Sequence, residues 1–399
     1  MRAKRLRIVR KIVMMKVYLD NAATTALSPK ALDSMMPYLT EIHGNPSSFH
    51  AFGRTAKSAV EKAREQVAAA IGALPEEIFF TGGGTESDNT VIMGTAARLR
   101  DKGNHIITTA VEHHAVLHAC EELEKRGFEV TYLPVDEFGM VTAHQVEEAI
   151  TDKTILVTVM FANNEVGTIM PITEIGEVCK NRGVYFHTDA VQAVGHVPVD
   201  VKAMNIDMLS MSAHKFHGPK GVGALYIRKG IRIPSLIVGG AQEKNRRAGT
   251  ENVAGIVGMG AAIEEAVLNM EENTQKMLTL RDRLMNSIEA RIDGVKLNGH
   301  RTDRLPNNVN YSIRYIEGEG ILLHLDLNGV AASSGSACTS GSLDPSHVLL
   351  AMGLPHEVAH GSVRLTLSEN TTQEEIDYTV DVLEKAVKTL RAMSPLYNK

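Results

Sequence analysis

Three stretches of the sequence, and one cysteine, have the residue types and spacing to do chemistry together. Thr81-Gly82-Gly83-Gly84-Thr85-Glu86 sets three glycines ahead of a helical pattern that opens near Ser87. Backbone amides can close on an anion at such a turn, and a helix N-terminus adds about half a positive charge. The turn lacks the Gly-Lys-Ser/Thr of a nucleoside-triphosphate loop and the Gly-x-Gly-x-x-Gly of a dinucleotide site. Asp189, in His187-Thr188-Asp189-Ala190-Val191-Gln192, precedes Lys215, in Ser212-Ala213-His214-Lys215, by about 26 residues. An acid and an amine at the ends of successive strands suit a pyridine ring, whose nitrogen needs a carboxylate, bearing an aldehyde that condenses with an amine. Cys338 lies in Ser333-Ser334-Gly335-Ser336-Ala337-Cys338-Thr339-Ser340-Gly341-Ser342, small polar residues that cannot bury a thiol. It reads as a loop-borne nucleophile. Cys120, with Val116 and Leu123, and Cys179, with Ile175 and Val178, lie on apolar helical faces and read as inert core thiols.

Two histidine patterns point elsewhere and fail on context. His356-Glu357-Val358-Ala359-His360 matches a zinc-protease helix, but Pro355 and Gly361 leave it little more than one turn and no third ligand follows. His214 and His217 lack a cysteine or acid cluster that would complete a metal site. No metal is expected.

Positioning these groups is the work of alternating elements. From about Glu77 to Arg228, β-rich runs at Ile78–Thr81, His105–Thr109, Glu129–Leu133, Ile155–Phe161, Val184–Thr188, Asp207–Ser212 and Gly223–Ile227 alternate with helical patterns. Seven strands with helical crossovers predict an α/β fold with a mostly parallel sheet covered on both faces, its ligands beyond the carboxyl ends of the strands. A further strand is expected at Lys16–Leu19. After a boundary near residue 272, Met277, Leu280, Leu284, Ile288 and Ile292 recur at helical spacing, and β-like runs follow at Asn308–Ile313 and Ser362–Leu367. Thr372 and Glu375 form a capping-box pattern ahead of the stripe Ile376, Val380, Leu383, Val387 and Leu390.

The 399 residues carry 42 Lys and Arg against 47 Asp and Glu, a formal net charge of −5, which speaks against a nucleic-acid partner or an acidic membrane surface. The longest apolar runs fall far short of the roughly 20 residues of a membrane helix. Three scattered cysteines imply a reducing compartment, and a cytoplasmic location is expected. Residues 1–14 hold six of the 42 basic residues and no acid. They lack the apolar stretch of a secretory signal and read as a basic extension ahead of Met15.

The motifs occur in an order that carries a resemblance. Tyr18-Leu19-Asp20-Asn21-Ala22-Ala23-Thr24-Thr25, Gly84-Thr85-Glu86-Ser87-Asp88-Asn89, Glu112-His113, Asn163-Asn164-Glu165-Val166-Gly167, Asp189-Ala190-Val191-Gln192, Ser212-Ala213-His214-Lys215, Arg247-Ala248-Gly249-Thr250 and Ser334-Gly335-Ser336-Ala337-Cys338 follow one another along the chain. Over residues 17–390 the chain resembles the cysteine desulfurases of iron-sulfur cluster assembly and nitrogen fixation, pyridoxal-phosphate enzymes of the class-V aminotransferase superfamily. The resemblance implies fold type I: a large cofactor-binding domain over 28–271, a small α+β domain from 15–27 plus 272–399 that carries the cysteine loop, and a homodimer. It implies that Lys215 holds pyridoxal 5′-phosphate covalently, Asp189 pairs with the ring nitrogen, His113 stacks on the ring and relays protons, and Gln192 and Asn164 approach the ring oxygen. Gly84, Thr85, Ser212 and His214 would hold the phosphate, with Thr250 supplied by the partner subunit. Arg364, in Val363-Arg364-Leu365, matches the residue that clamps the carboxylate of L-cysteine, beside Asn164. Cys338 would take the sulfur as a persulfide, leaving alanine, and pass it to an iron-sulfur scaffold, a tRNA-thiolation protein or another acceptor. The Ser-Gly-Ser-Ala-Cys run and the long stretch after it resemble the subclass whose cysteine rides a flexible arm. A selenocysteine lyase or cysteine-sulfinate desulfinase on the same scaffold, and a catalytically silent sulfur-transfer subunit, are the alternatives. Intact Lys215, Asp189 and Cys338 speak against the last.

Overall fold

The chain is described by a computed structural model over residues 15–334 and 345–397. Its first strand, β1 (Val17–Tyr18), leads through a turn and a crossover, Ala22 to Ser28, into α1 (Pro29–Thr40) and α2 (Ala51–Ala70). Ser28 stops the crossover by accepting from the Ala31 amide at 3.1 Å, and Pro29 starts the helix where its missing N–H costs nothing.

Seven strands then form one sheet: β2 (Ile78–Thr81), β3 (His105–Thr109), β4 (Glu129–Leu133), β5 (Thr154–Thr158), β6 (Tyr185–Asp189), β7 (Met208–Ser212) and β8 (Gly223–Ile227). Their order is β2-β8-β7-β6-β5-β3-β4, parallel throughout except that β8 runs antiparallel to both neighbours. The helices α3 (Gly84–Leu99), α4 (His114–Lys125), α5 (Ala143–Ala149) and α6 (Ile172–Arg182) make the crossovers. Period-two alternation sends Leu156 and Val157 to opposite faces, into two separate apolar clusters. Both faces are therefore buried, as a parallel sheet requires. The run expected as Ile155–Phe161 leaves the regular ladder at Thr158. Its backbone still reaches β6, through Val159 N to His187 O (3.1 Å) and Phe161 N to Asp189 O (2.8 Å).

Beyond a short turn of helix, α7 (Gln242–Asn245), α8 (Val253–Leu268) packs on α1 and α2. Then come α9 (Met270–Arg291), β9 (Val295–Leu297), β10 (Asn308–Ile313), α10 (Gly318–Leu327), β11 (Val330–Ala331), α11 (His347–Ala351), α12 (His356–Ala359), β12 (Ser362–Thr366) and α13 (Gln373–Met393). A three-stranded sheet in the order β12-β10-β9 lies here, and β1 pairs in parallel with β11. Thr372 and Glu375 close the capping box that opens α13. A third apolar cluster joins Val17 and Leu19 to Leu284, Val309, Ile321, Leu365 and Leu383, so the N-terminal strand shares a core with the C-terminal elements. Val348, Leu349, Met352 and Leu354 instead pack into the core of the seven-stranded sheet. The His356–His360 pattern sits on a single helical turn, and no group of three metal-binding side chains is gathered among the described residues.

Candidate active site

The carboxyl ends of β2, β6 and β7 open on one rim. At β2 the chain leaves through Gly82 and Gly83 into α3, whose N-cap, Gly83, has φ 149° and no side chain to cap the helix. The first-turn amides of α3 are thus left for an anion. A Cβ on Gly83 would stand 3.7 Å from the Ser212 hydroxyl, inside the cradle, and one on Gly84 would meet Val191 Cγ2 at 2.6 Å. An open cavity of about 810 Å³ is lined by Gly82, Gly83, Gly84, Thr85, Ser212 and His214, together with Thr24, Asn89 and Lys220. His214 bonds through Nδ1 to the Thr24 hydroxyl at 3.1 Å. Burial and the charges of Lys215 and Lys220 bring its pKa down to about 4, so it is neutral near pH 7.

Asp189 ends β6, buried, and accepts from the Val191 amide at 2.9 Å. Burial raises its pKa, against the opposing pull of His113, the Val191 amide and Lys215. Two more buried carboxylates stand behind it. Asp88 on α3 lies 3.7 Å from His187 Nε2 and is pushed well above the ordinary range by burial and by Asp189. Glu112 accepts from the Thr109 hydroxyl (2.8 Å) and the Met160 amide (2.9 Å), yet burial carries it up to about 8. A cation seated against Asp189 is what such a cluster favours.

Lys215 leaves β7 through a tight turn and its Nζ donates to the carbonyls of Ala22 (2.5 Å) and Ala23 (2.9 Å). Gln192 Nε2 donates to the same Ala22 oxygen at 3.0 Å. The crossover from β1 is thereby drawn against the rim. His113 is the N-cap of α4; its Nδ1 accepts from the Ala115 amide at 3.1 Å, which leaves the neutral ring's proton on Nε2. Asn164 follows Asn163, whose side chain bonds the Val111 carbonyl and the amides of Glu165 and Val166 and so fixes the turn. Arg364 on β12 donates Nη1 to the Asn164 carbonyl and Nη2 to Asp20, each at 2.9 Å, while its buried Nε has no hydrogen-bond partner among the described residues.

The described residues therefore bring together the Gly84–Thr85 turn, Ser212, His214, Lys215, Asp189 and Gln192, with Asn164 bonded to Arg364. Thr250 is exposed and does not line the cavity of its own chain. Cys338 lies outside the described residues. Cys120 and Cys179 are buried, their thiols pushed up to about 12 by burial, which leaves them unreactive. Sequence reasoning passed over Thr24, Asn89 and Lys220 as lining residues and Asp88, Glu112 and His187 as a buried group. Lys220 carried a signal, a lysine in the Gly-Pro-Lys-Gly turn after Lys215. The buried acids carried none beyond their places in quoted motifs.

The donor set fits pyridoxal 5′-phosphate: amides, hydroxyls and Lys220 for a phosphate dianion, a buried acid for a protonated ring nitrogen, and an amine for the aldehyde. Comparison with known proteins agrees. The family described as aminotransferase class-V matches residues 17–379. A protein named cysteine desulfurase IscS from Clostridium botulinum is 60% identical over 384 residues, 96% of this chain and 97% of its own. One of the same name from Dictyoglomus turgidum is 58% identical over 95% of this chain and 96% of its own. A solved structure titled NifS-like protein superposes with a TM-score of 0.89 at 40% identity, covering 94% of this chain and all of that one.

Proposed function

The chain belongs to the class-V aminotransferase family, as a cysteine desulfurase that works with pyridoxal 5′-phosphate, and from that premise we propose how its residues divide the work. When bound, the cofactor supplies an electron sink that acidifies the α-carbon of the substrate cysteine. The Gly84–Thr85 amides, Ser212, His214 and Lys220 would grip its phosphate, and Thr250 of the partner subunit would complete the grip in a homodimer. Asp189 would hold the ring nitrogen's proton, Gln192 and Asn164 would serve the ring oxygen, and Lys215 would carry the cofactor covalently. Arg364 would take the substrate carboxylate beside Asn164: its buried Nε has no partner among the described residues, and a guanidinium fork suits a carboxylate. The Lys215 amine, once released, moves the α-proton. His113 serves the leaving and arriving protons through Nε2.

Cys338 attacks the substrate sulfur as a thiolate. Its Sγ forms a bond to that sulfur while the Cβ–S bond of the substrate breaks, the electron pair staying with the three-carbon fragment. That fragment is protonated and leaves as alanine; Cys338 keeps the sulfur as a persulfide for an acceptor such as an iron-sulfur scaffold. Residues 28–271 form the domain that seats the cofactor, and 15–27 with 272–399 the domain that brings Arg364 and Cys338 to it. A reducing, cytoplasmic setting suits a free thiol nucleophile.

The observation that carries this reading is the convergence of Lys215 Nζ on the Ala22 and Ala23 carbonyls beside buried Asp189 and the open end of α3. Purified protein is expected to show a visible absorption band that Lys215→Ala abolishes. Cys338→Ala should keep the band and lose sulfide release from cysteine. A Cys338→Ala protein that turned over cysteine at the normal rate would remove the persulfide step.

A further inference from the structure

His217, two residues beyond Lys215, belongs to no role above, yet it is held by two distant parts of the chain, the Thr25–Ser28 crossover and Glu369. Its backbone sits at φ +63°, an uncommon conformation for a residue with a side chain. Its amide donates to the Thr25 hydroxyl (2.9 Å), and its carbonyl accepts from the Ser28 amide (2.9 Å). In the ring, Nδ1 lies 2.9 Å from the Ala26 carbonyl and Nε2 lies 3.1 Å from Glu369 Oε2, just past β12. A carbonyl oxygen can only accept, so Nδ1 carries a hydrogen. A lone pair on Nε2 would then face an ionised carboxylate, so Nε2 carries one too, and the ring is an imidazolium.

The same turn is gripped from behind, where His196 Nε2 bonds the Lys215 carbonyl at 2.9 Å. Lys276 of α9 donates to the Glu369 carbonyl, and Glu265 of α8 accepts from the Ser28 hydroxyl at 2.8 Å. His196, His217, Glu265 and Glu369 line one cavity of 280 Å³, on the wall of which the pair stays within reach of solvent protons.

Resting on the reading of Lys215 as the cofactor-bearing amine, we propose that the His217 imidazolium is a positioning residue: it ties the Ala22–Ser28 crossover, the Lys215 turn and the C-terminal segment at Glu369 into one unit. Ala22 and Ala23 are the carbonyls that receive Lys215 Nζ. Loss of one ring proton breaks the Ala26 or the Glu369 contact and slackens the crossover that aligns the amine. The charged and titratable groups around the ring are Glu369, Glu265, His196 and Lys215. Burial alone would lower the ring's pKa, but the bond and charge of Glu369, the Ala26 carbonyl and Glu265 outweigh it, so the folded value is raised. The clamp is then complete below the ordinary histidine pKa and is lost as pH rises through the raised one. This gives the protein an alkaline limb that belongs to neither Lys215 nor Cys338.

The test compares wild type with His217→Gln, whose amide can donate to only one of the two acceptors, and with Glu369→Gln. Melting temperature is followed from pH 6 to pH 9 on apoprotein and holoprotein, and the cofactor's visible band and kcat over the same range. Wild type should lose melting temperature and kcat toward pH 9. Each single variant should flatten that decline, with kcat at pH 7 several-fold lower and KM for cysteine within about twofold. The double variant should add nothing further. Variants that lower the melting temperature equally at every pH, with the alkaline limb intact, would overturn the proposal. If His217→Gln does not fold, Glu369→Gln alone decides it. Absence of the visible band in wild type would count against the Lys215 reading, and the apoprotein melting profiles would still decide this one.

Discussion

Arg364 reaches the site with two of its three donor edges engaged, Nη1 on Asn164 and Nη2 on Asp20. A substrate carboxylate therefore meets a fork already aimed. Arg364→Ala removes charge-assisted hydrogen bonds of about 1.5–3 kcal/mol, so kcat/KM for cysteine should drop by roughly 10- to 100-fold, mostly through KM, with bound cofactor unchanged. An unchanged KM would sink the clamp. Glu112 makes a prediction in pH. A carboxyl raised in the folded chain costs stability once pH passes its ordinary value near ~4.3, and the cost grows until pH passes the folded value, here about 8. Glu112→Gln has no charge to bury. Its unfolding free energy should match that of wild type near pH 4 and exceed it at pH 9 by roughly 1–3 kcal/mol; equal differences at both pH values would mean that Glu112 titrates normally. Asp189 and Lys215 were legible in the sequence because strand ends mark where side chains can meet a ligand. Asp88, Glu112 and His187 were not, because burial of two acids and an imidazole behind Asp189 is a property of packed helices and strands, and no spacing announces it.

Among the elements, the turn from β2 into α3 has the least tolerance. Gly84 lies against Val191, which neighbours both Asp189 and Gln192, and an added Cβ would stand 2.6 Å from its Cγ2. Gly84→Ala must push Val191 or the helix start aside, at a cost of about 1–3 kcal/mol. The chain should still fold, since the sheet core is untouched, but affinity for pyridoxal phosphate should weaken by roughly 5- to 150-fold. Titrating apoprotein with the cofactor checks this, and an unaltered Kd would show that the turn does not bear the phosphate. The seven strands of the sheet were legible as short runs alternating with helical patterns, and α13 from its capping box. β9 and β11 were not: with three and two residues they fall below any periodic signal, and β11 exists because β1 pairs with it from the far end of the chain. The helix expected after the boundary near residue 272 begins instead at Met270, since Glu271 and Glu272 in its first turn complement the helix dipole.

For the whole molecule, assembly turns on what one chain leaves undone. Thr250 is exposed and does not line its own cavity. Leu39, Phe49 and Phe52, on and between α1 and α2, are exposed too, Phe49 at 96%. Aromatic and aliphatic surface grouped in this way marks an interface more often than a solvated face. A homodimer would cover such residues and offer Thr250 to the neighbouring site. Sedimentation equilibrium should therefore give twice the chain mass of 43.4 kDa. Phe49→Asp places a charge where the partner should sit and is expected to shift the protein toward 43.4 kDa while leaving its own sheet and helices intact by circular dichroism. Because the phosphate would lose Thr250 of the partner subunit, that monomer should also bind pyridoxal phosphate at least several-fold more weakly. Thr250→Ala should reproduce the weaker binding in a protein that stays dimeric, which separates the contact from the assembly. A wild-type monomer that held cofactor at full affinity would refute both parts, since each cavity would then be complete with the residues of its own chain.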